Sequence, residues 1–329
     1  MSLYNKKLLL GLLGSVFLFV PSFAQDHIQQ IDSLLEITAS NNPEIGISLV
    51  FIEDENVHFA NKGNTSRISE QLVSENSIYE IGSITKLFTT YLLANEVAFD
   101  RIDLTQFIDH YLHDSFNLNP SIQNTIRVSD LASHQSGLPD FNLMELIEIN
   151  PSQPFDEVSF SMVDSILTNT EDLETYGCYE YSNISFALLG FILENATQNT
   201  YEELLQKHIF DPFNMQHTYS ASFDVPELTT GHSPDGTETE MFNWNPVVAP
   251  AGFLKSSTHD LSFFVQALLD SRTETINSAL EETLFKSTYI EMALGLNVIR
   301  EGSSVVFAKT GDSLGQSGVL AYCPEGNWG

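Results

Sequence analysis

The sequence predicts an α/β fold in which an antiparallel sheet is flanked by helices and joined to an all-α lobe. Strand patterns occur near both ends of the chain, and the pattern between them is mainly helical. We therefore expect a sheet lobe from about 25–80 and 287–329 and a helical lobe from about 81–286. Layers of this kind bury one core, and ligand clefts often form where two lobes meet.

The first 24 residues have the pattern of a signal peptide. Lys6 and Lys7 precede the apolar run Leu8 to Val20, and Ser22-Phe23-Ala24 offers a small-x-small cleavage site. The apolar run is shorter than a membrane-spanning helix requires. The sequence therefore predicts an exported protein, periplasmic or extracellular, with residues 25–329 as its mature domain and no integral membrane span after cleavage.

The next elements alternate as an amphipathic helix and a hairpin. Asp26 to Ala39 carries apolar residues at helical spacing, which predicts a helix. Gly46 to Ile52 is predicted as a strand, Asp54-Glu55-Asn56 as a turn, and Val57 to Ala60 as the partner strand.

The middle of the chain contains a predicted buried helix and two helix-start signals. The helix that begins at Ser83 presents one apolar stripe, formed by Ile84, Leu87, Phe88, Tyr91 and Leu92. Thr200 with Glu203 is a capping-box pattern for a helix through Ile209, and Ser257 with Asp260 is a looser version.

Strand patterns resume at Ile290 to Ile299, Ser304 to Lys309 and Ser317 to Cys323, and Pro324 to Asn327 then indicates a turn.

Three short motifs carry the chemistry. They are Ser83-Ile84-Thr85-Lys86, Tyr181-Ser182-Asn183 and Lys309-Thr310-Gly311. Residues three apart on a helix share a face, so Lys86 can reach the Ser83 hydroxyl. In this order the motifs indicate serine acyl transfer with lysine as the base, which requires a lysine pKa far below its usual value of about 10.4. Whether Lys86 acts alone or shares the proton with Tyr181 stays open.

The chain resembles the serine β-lactamase and penicillin-binding protein superfamily, in particular its class C β-lactamase, D,D-carboxypeptidase and family VIII esterase branch. The resemblance covers most of residues 25–329 and is carried by the three motifs and two further stretches, Leu131 to Pro139 and Pro250 to Ser256. It implies a β-lactamase/transpeptidase-like fold. In that fold another strand and a helix would follow Cys323, so the resemblance implies that the C-terminal strand and helix are missing and that the two halves of the sheet lack a shared partner.

The resemblance also implies residue roles. Ser83 is then the acylated nucleophile, Lys86 its proton partner and Tyr181 the second acid/base. Asn183 binds the substrate amide, and Lys309 and Thr310 hold a substrate carboxylate. The backbone N–H groups of Ser83 and Asp312 then form the oxyanion hole.

Two positions depart from the pattern of the branch. Lys309 stands where many relatives carry histidine, and a fixed ammonium favours substrates that end in a carboxylate. Asp312 stands where small residues are usual, and a carboxylate beside the oxyanion lowers activity unless its side chain points away. The predicted activity is hydrolysis of D-amino-acid amides, β-lactams or esters. A non-catalytic penicillin-binding or sensor-like protein and an inert structural scaffold are the alternatives.

A competing motif lies near the end of the chain. Gly311-Asp312-Ser313-Leu314-Gly315 matches both the G-x-S-x-G nucleophile elbow and the GDSL esterase block. An elbow requires a following helix and a downstream histidine, but strand residues follow and the last histidine is His259. We therefore expect Ser83 rather than Ser313 to be the nucleophile.

Composition limits the partners. The chain has 13 Lys+Arg against 44 Asp+Glu, a formal net charge of −31, which disfavours nucleic acid as a partner. A small molecule or a peptidoglycan-type peptide is the expected substrate, and the oligomeric state stays open. The nine histidines, including His110 and His113, show no zinc-binding pattern, so no metal and no cofactor are predicted. His134 is predicted to be structural, and Cys178 and Cys323 are predicted as two buried thiols rather than a disulfide.

Overall fold

The structure is a computed structural model that describes residues 24–220, 228–233 and 235–329. The predicted signal peptide, apart from its last residue, lies outside the described residues.

An N-terminal helix packs on a two-stranded hairpin. Helix α1 spans Ala24–Asn41 and contacts β1 (Ile47–Glu53) and β2 (Asn56–Lys62). The two strands are antiparallel, with Ile47 opposite Lys62 and Glu53 opposite Asn56. The predicted helix, hairpin strands and turn are confirmed. Strand β1 is shifted by one residue from its predicted bounds, and β2 extends beyond its predicted bounds at both ends.

The part of the chain between the two sheet regions is mainly helical. Its helices are α2 (Thr85–Ala98), α3 (Val128–Ala132), α4 (Leu143–Ile149), α5 (Phe160–Asn169), α6 (Asn183–Thr197), α7 (Tyr201–Leu205), α8 (Ala249–Gly252), α9 (Thr258–Leu269) and α10 (Glu274–Glu281). Single 3₁₀ turns occur at Gly82–Ile84, Ile108–His110, Pro154–Glu157 and Ser271–Thr273, and a π-helical turn at Gln206–Phe210 continues α7.

Both predicted helix-start signals are confirmed. Thr200 and Glu203 form a reciprocal capping box at the start of α7. Ser257 accepts a hydrogen bond from the Asp260 backbone N–H at the start of α9. In each case a side-chain oxygen satisfies one of the backbone N–H groups that a helix leaves unpaired at its first turn.

Helix α2 is more deeply buried than its sequence pattern predicts. Residues 85–96 are all buried, so the helix is enclosed on every side rather than along one stripe. Helices α6, α8 and α10 pack around it. The Phe88 ring stacks on Phe264 of α9 at 4.2 Å between centroids, which ties α2 to the helix on the sheet side.

The C-terminal part forms a five-stranded antiparallel sheet in the order β11-β10-β9-β8-β7. Its strands are β7 (Phe285–Lys286), β8 (Glu291–Met292), β9 (Asn297–Glu301), β10 (Ser304–Asp312) and β11 (Ser317–Tyr322). The single strand predicted for Ile290 to Ile299 is wrong. Gly295, with φ of +68°, turns the chain between β8 and β9, and this left-handed conformation favours glycine.

The two sheet regions do share a partner, which corrects the expectation of unconnected halves. Trp328 forms antiparallel bridges with Glu53 of β1 and with Cys323 after β11. The Gly329 backbone exchanges hydrogen bonds of 2.8 and 3.0 Å with Ile52. The last two residues therefore occupy the position between the hairpin and the five-stranded sheet.

Three further features depart from simple lobes. Strand β3 (Tyr79–Glu80) pairs with β6 (Lys255–Ser256), and β4 (Gly231–His232) pairs with β5 (Glu238–Thr239), so the helical region contains short strands. Helix α9, inside the predicted helical lobe, packs on β1 and β11. The lobe boundaries themselves stay a prediction.

The two cysteines are free thiols. Cys323 is buried as predicted, whereas Cys178 is exposed, because it lies in the turn that precedes Tyr181 rather than in the core. Among the described residues, no helix is both long enough and apolar enough to cross a bilayer.

Candidate active site

Ser83 lies in the 3₁₀ turn Gly82–Ile84 that leads into α2. The α-helix begins at Thr85, two residues later than predicted. Gly82 has φ of +49°, and a Cβ there would lie 2.6 Å from the Asp312 carbonyl oxygen. Only glycine permits this backbone conformation and this close approach of β10, so Gly82 allows the end of β10 to pack beside Ser83.

Lys86 follows Ser83 by three residues and is completely buried. Its Nζ lies 3.2 Å from Ser83 Oγ, 2.9 Å from Asn183 Oδ1 and 2.5 Å from the Ala251 carbonyl oxygen. The predicted contact between Lys86 and the Ser83 hydroxyl is therefore present.

The second motif reaches Ser83 from the start of α6. Ser182 is the N-cap of this helix, and its hydroxyl accepts a hydrogen bond from the Ser185 backbone N–H at 3.1 Å. This cap fixes the residues on either side of it. Tyr181 places its hydroxyl 2.5 Å from Ser83 Oγ, and Asn183 turns its amide toward Lys86.

Asp140 fixes the orientation of the Asn183 amide. Its Oδ2 accepts from the backbone N–H and the side-chain NH₂ of Asn183, at 2.8 and 3.1 Å, and its Oδ1 accepts from the Ile184 backbone N–H at 3.0 Å. Because the amide NH₂ is held by a carboxylate, the amide oxygen must face Lys86.

Burial sets the protonation of both lysines. Desolvation lowers the pKa of Lys86 to about 7, against an opposing effect of the Asp140 charge. The pKa of Lys309 is lowered to about 8, mainly by burial, and the nearby Lys86 contributes in the same direction. An amine with a pKa near 7 is substantially neutral at neutral pH, as a general base must be.

The three oxygens around Lys86 Nζ determine which of them bind its hydrogen atoms and which faces its lone pair. A neutral amine has two N–H donors and one lone pair. The Asn183 amide oxygen and the Ala251 carbonyl can only accept, so they bind the two hydrogens. The lone pair is then left for the Ser83 O–H. This arrangement can remove the hydroxyl proton of Ser83.

The third motif lies on β10 and brings a cation to the same cleft. Lys309 is buried, and its Nζ lies 5.2 Å from the centre of the Tyr181 ring, whereas Lys86 Nζ lies 4.8 Å from that centre. Thr310 is partly buried and pairs with Val319. Asp312 is the last residue of β10, and its side chain is exposed. The carboxylate-binding role of Thr310 and the oxyanion role of the Asp312 N–H stay predictions.

His134 packs behind Tyr181. The two ring centroids are 4.7 Å apart, and His134 Nδ1 accepts from the Ser182 backbone N–H at 3.2 Å. Burial and the two nearby lysines lower the pKa of His134 well below its usual value, so the imidazole is neutral. Its contacts support the Tyr181-Ser182 segment, in line with the predicted structural role.

Ser313 has a different environment from the one a nucleophile elbow requires. It lies in the tight turn between β10 and β11, and its hydroxyl accepts from the Gln316 backbone N–H at 3.2 Å. Strand β11 follows at Ser317, so a strand occupies the position where a nucleophile elbow requires a helix, as the sequence predicts.

Two elements of the site were missed in the sequence. Asp140 directly follows the Leu131 to Pro139 stretch, and the Ala251 carbonyl lies within the Pro250 to Ser256 stretch, but neither received a role. Every residue has a backbone carbonyl, so the residue type gives no indication that the Ala251 carbonyl has a role. The acidic residue one position beyond Pro139 was the only available sign, and it gains meaning only when α6 is placed beside it.

Comparison with known proteins gives the relationship of the chain. Residues 35–329 match the protein family described as Beta-lactamase. The chain belongs to the β-lactamase family. The curated relatives include "Protein flp" of Staphylococcus aureus (strain MW2), which is 27% identical over 255 residues, 74% of this chain and 49% of that protein. The chain thus spans about half the length of the curated relatives it matches.

Solved structures agree on the fold. A class C β-lactamase crystal structure superposes with a TM-score of 0.77 at 20% identity, covering 94% of this chain and 93% of that one. The structure titled Beta-Lactamase/D-Alanine Carboxypeptidase from Pseudomonas syringae gives a TM-score of 0.74 at 22% identity, with 93% and 92% covered. These likenesses establish the β-lactamase-type fold, as the sequence predicts.

Proposed function

We propose that this β-lactamase-family chain is an exported serine hydrolase that forms an acyl-enzyme on Ser83. One observation carries the proposal: Ser83 Oγ lies 2.5 Å from the Tyr181 hydroxyl and 3.2 Å from Lys86 Nζ. A nucleophile within hydrogen-bond reach of a base, which is itself oriented by further groups, is the arrangement of covalent catalysis.

The chemistry follows from this geometry. Lys86 or Tyr181 takes the hydroxyl proton as Ser83 Oγ attacks a carbonyl carbon, and the proton is then delivered to the leaving group. Water attacks the resulting ester, which releases the acid and restores the Ser83 hydroxyl. The backbone N–H groups of Ser83 and Asp312 are the proposed oxyanion donors, and one such donor contributes about 3 kcal/mol in other acyl-transfer enzymes.

The preferred substrates bear a carboxylate. Lys309 is a buried cation beside the Tyr181 ring, whereas the chain as a whole is strongly acidic. A local ammonium is the group that would bind an anionic substrate terminus in such a field. This favours D-amino-acid amides and β-lactams over simple esters. Turnover measured side by side on a D-alanyl peptide, a chromogenic cephalosporin and a nitrophenyl ester ranks the three classes.

Labelling tests the nucleophile. Intact-mass and peptide mass spectrometry after incubation with a penicillin or a fluorophosphonate should locate one adduct on Ser83. Ser83→Ala should abolish the adduct, whereas Ser313→Ala should retain it. Absence of an adduct on folded protein, or its loss only in Ser313→Ala, contradicts the proposal.

A non-catalytic penicillin-binding function is the second candidate, and Asp312 is the observation that favours it. Asp312 is the last residue of β10, and its backbone packs against Gly82, next to Ser83. Negative charge near a developing oxyanion slows the reaction. The two functions differ in the fate of the adduct. A hydrolase releases the acyl group and turns over, whereas a binder keeps it, so the decay of the Ser83 adduct after removal of free penicillin separates them.

Export is tested independently of catalysis. N-terminal sequencing of the mature protein recovered from the medium or periplasm should begin at Gln25, after the predicted cleavage at Ala24. Retention of residues 1–24 in the cytoplasmic fraction would refute this part of the proposal.

A further inference from the structure

Three side chains with metal-ligating atoms meet away from the Ser83 site. His217 follows the π-helical turn by seven residues, and His259 and Asp260 lie in the first turn of α9. One ligand atom from each residue lies within 4.8 Å of the other two. The two histidines are 42 residues apart in the sequence, so no local spacing pattern marks them, which explains why the expectation of no metal was drawn from the sequence.

The distances approach those of a metal coordination shell. Asp260 Oδ1 lies 3.6 Å from His217 Nδ1 and 3.4 Å from His259 Nδ1. With zinc–ligand bonds of about 2.0–2.1 Å, tetrahedral ligands are about 3.4 Å apart. Both nitrogen–oxygen separations are close to this value, and the ligand atoms of the two histidines lie within 4.8 Å of each other.

Asp260 is built as a ligand whose second oxygen is already engaged. It is completely buried, and its Oδ2 accepts from the His217 backbone N–H at 2.6 Å and from the Thr218 hydroxyl at 2.8 Å. Oδ1 is thereby directed at the two imidazoles. Outer hydrogen bonds of this kind orient the ligating carboxylate in metal sites.

The imidazoles are also positioned. His217 Nδ1 is a buried atom with no hydrogen-bond partner among the described residues, which is costly unless a ligand occupies the position. The His259 ring stacks on Phe59 of β2 at 6.2 Å and meets the Phe263 ring edge-on at 4.9 Å. The exposed side-chain fractions of 40% for His217 and 36% for His259 leave a path for an ion to enter from solvent.

We propose that His217, His259 and Asp260 bind one Zn²⁺ ion, with water completing its coordination. Two imidazole nitrogens and one carboxylate oxygen suit zinc and disfavour Mg²⁺, which prefers oxygen ligands. The ion links the segment around His217 to the first turn of α9. Helix α9 in turn packs on β1. The site is structural and independent of the proposed activity at Ser83.

Zinc titration tests the site. The titration uses the Cys178→Ser variant as the parent protein, because this change removes the exposed thiol. Excess Mg²⁺ is added to occupy acidic surface groups. Competition with a chromogenic zinc indicator should give one equivalent of bound zinc. His217→Gln/His259→Gln should weaken binding at least tenfold, and the control His110→Gln/His113→Gln should not. Co²⁺ should give the visible absorption of a tetrahedral site in the parent and lose it in the first variant.

The contrary outcomes are distinct. No zinc binding by the parent at micromolar concentrations, or equal binding by His217→Gln/His259→Gln, overturns the proposal, as does binding of several equivalents that both double variants retain. If circular dichroism shows that the first variant is not native, His217→Gln alone is titrated by the same criteria. A zinc-dependent rise in the thermal midpoint of the parent, absent from the variant, is expected because a ligand of the folded state stabilises it.

Discussion

At the scale of single residues, the candidate site depends on a lysine whose buried environment lowers its pKa and so favours the neutral amine. Lys86 is completely buried, and burial lowers its pKa to about 7. Of the oxygens that the described residues place around its Nζ, the Asn183 amide oxygen and the Ala251 carbonyl oxygen can accept a hydrogen bond but cannot donate one. The chain therefore determines both the amount of neutral amine and the direction of its lone pair.

The two lysine pKa values predict a pH dependence that differs between substrates. The neutral form of Lys86 increases as pH rises through about 7, so acylation should increase over that range for every substrate. The cationic form of Lys309 decreases above about 8, so a carboxylate-bearing substrate should lose binding there. We expect a bell-shaped kcat/KM for a cephalosporin and a single rising limb for a neutral nitrophenyl ester. Identical profiles for both substrates would contradict the role of Lys309.

Lys86→Met retains the apolar stem and removes the amine. General-base catalysis contributes about 10²–10⁴ in rate, so the acylation rate should fall by that factor. The residual rate should no longer rise through pH 7, as measured by stopped-flow acylation. The variant loses the hydrogen bonds to Asn183 and Ala251, but it no longer has an ammonium to deprotonate on burial. These two effects oppose each other, so its thermal stability is expected to be retained, which separates loss of chemistry from loss of fold.

Asp140 predicts a coupled effect on the helix and the base. Asp140→Ala removes the acceptor that orients Asn183 and a cap of α6, so the free energy of unfolding should fall by about 1 kcal/mol. Loss of the charge that raises the Lys86 pKa should also move the rising limb of the pH profile to lower pH.

Ser159→Ala is the matched control for Asp140→Ala. Ser159 accepts a hydrogen bond from the Met162 backbone N–H and so caps the start of a different helix, α5. It should lower stability by a similar amount without shifting the pH profile. An unchanged profile in Asp140→Ala would show that Asp140 acts on the helix alone.

At the scale of elements, strand β10 must approach the turn that carries Ser83. A Cβ on Gly311 would lie 1.9 Å from the Ile81 carbonyl oxygen, so any larger residue would force the strand away. Gly318 lies opposite Gly311 in the β10–β11 register, and among the described residues a Cβ there would meet only the end of the Ile84 side chain, at 3.3 Å. The two glycines therefore form a matched pair.

Gly311→Ala should lower the acylation rate by about 10²-fold, since a displacement of about 1 Å of a reacting group has that cost. Gly318→Ala should change it by less than about threefold, because a flexible side chain can move aside. Stopped-flow acylation and circular dichroism of the two variants measure the difference. Similar losses in both would show that the spacing of β10 from Ser83 is not what limits the reaction.

The elements that the sequence predicted well are those with local signals. The capping pairs at Thr200 and Ser257 are confirmed because the signal and the hydrogen bond involve the same few residues. The break between β8 and β9 was missed because strand-like residues lie on both sides of Gly295, and a single glycine can also occur inside a strand. The burial of α2 on all sides depends on helices distant in sequence, so a single stripe was the most that its own pattern could indicate.

For the candidate site, the sequence motifs predicted which residues form the site, but not the hydrogen-bond partners that orient them. Ser83, Lys86, Tyr181 and Asn183 come together because their motifs sit at element starts, where the backbone direction is fixed. The roles of Asp140 and the Ala251 carbonyl required the tertiary arrangement. The pairing of Trp328 and Gly329 with both sheet regions is also a long-range contact that no local pattern could reveal.

At the scale of the whole molecule, a net charge of −31 surrounds a site that offers a buried cation. The surface field extends over the Debye length, about 10 Å at 0.1 M salt, and repels anionic substrates before they reach Lys309. Contacts inside the cleft are screened much less than this long-range repulsion. Salt should therefore relieve the unfavourable part of the encounter and leave most of the favourable part.

This balance predicts a salt effect of unusual sign. Raising NaCl from about 10 mM to about 300 mM should increase kcat/KM several-fold for a carboxylate-bearing cephalosporin, because the long-range repulsion is screened. A neutral nitrophenyl ester should show no comparable change and serves as the control for effects of salt on the fold. In Lys309→Met the cephalosporin should become a poor substrate but keep the same salt-dependent gain, since the repulsion comes from the surface and not from the pocket. A decrease of kcat/KM with salt for the cephalosporin alone would mean that attraction by Lys309 dominates the approach as well as the bound state.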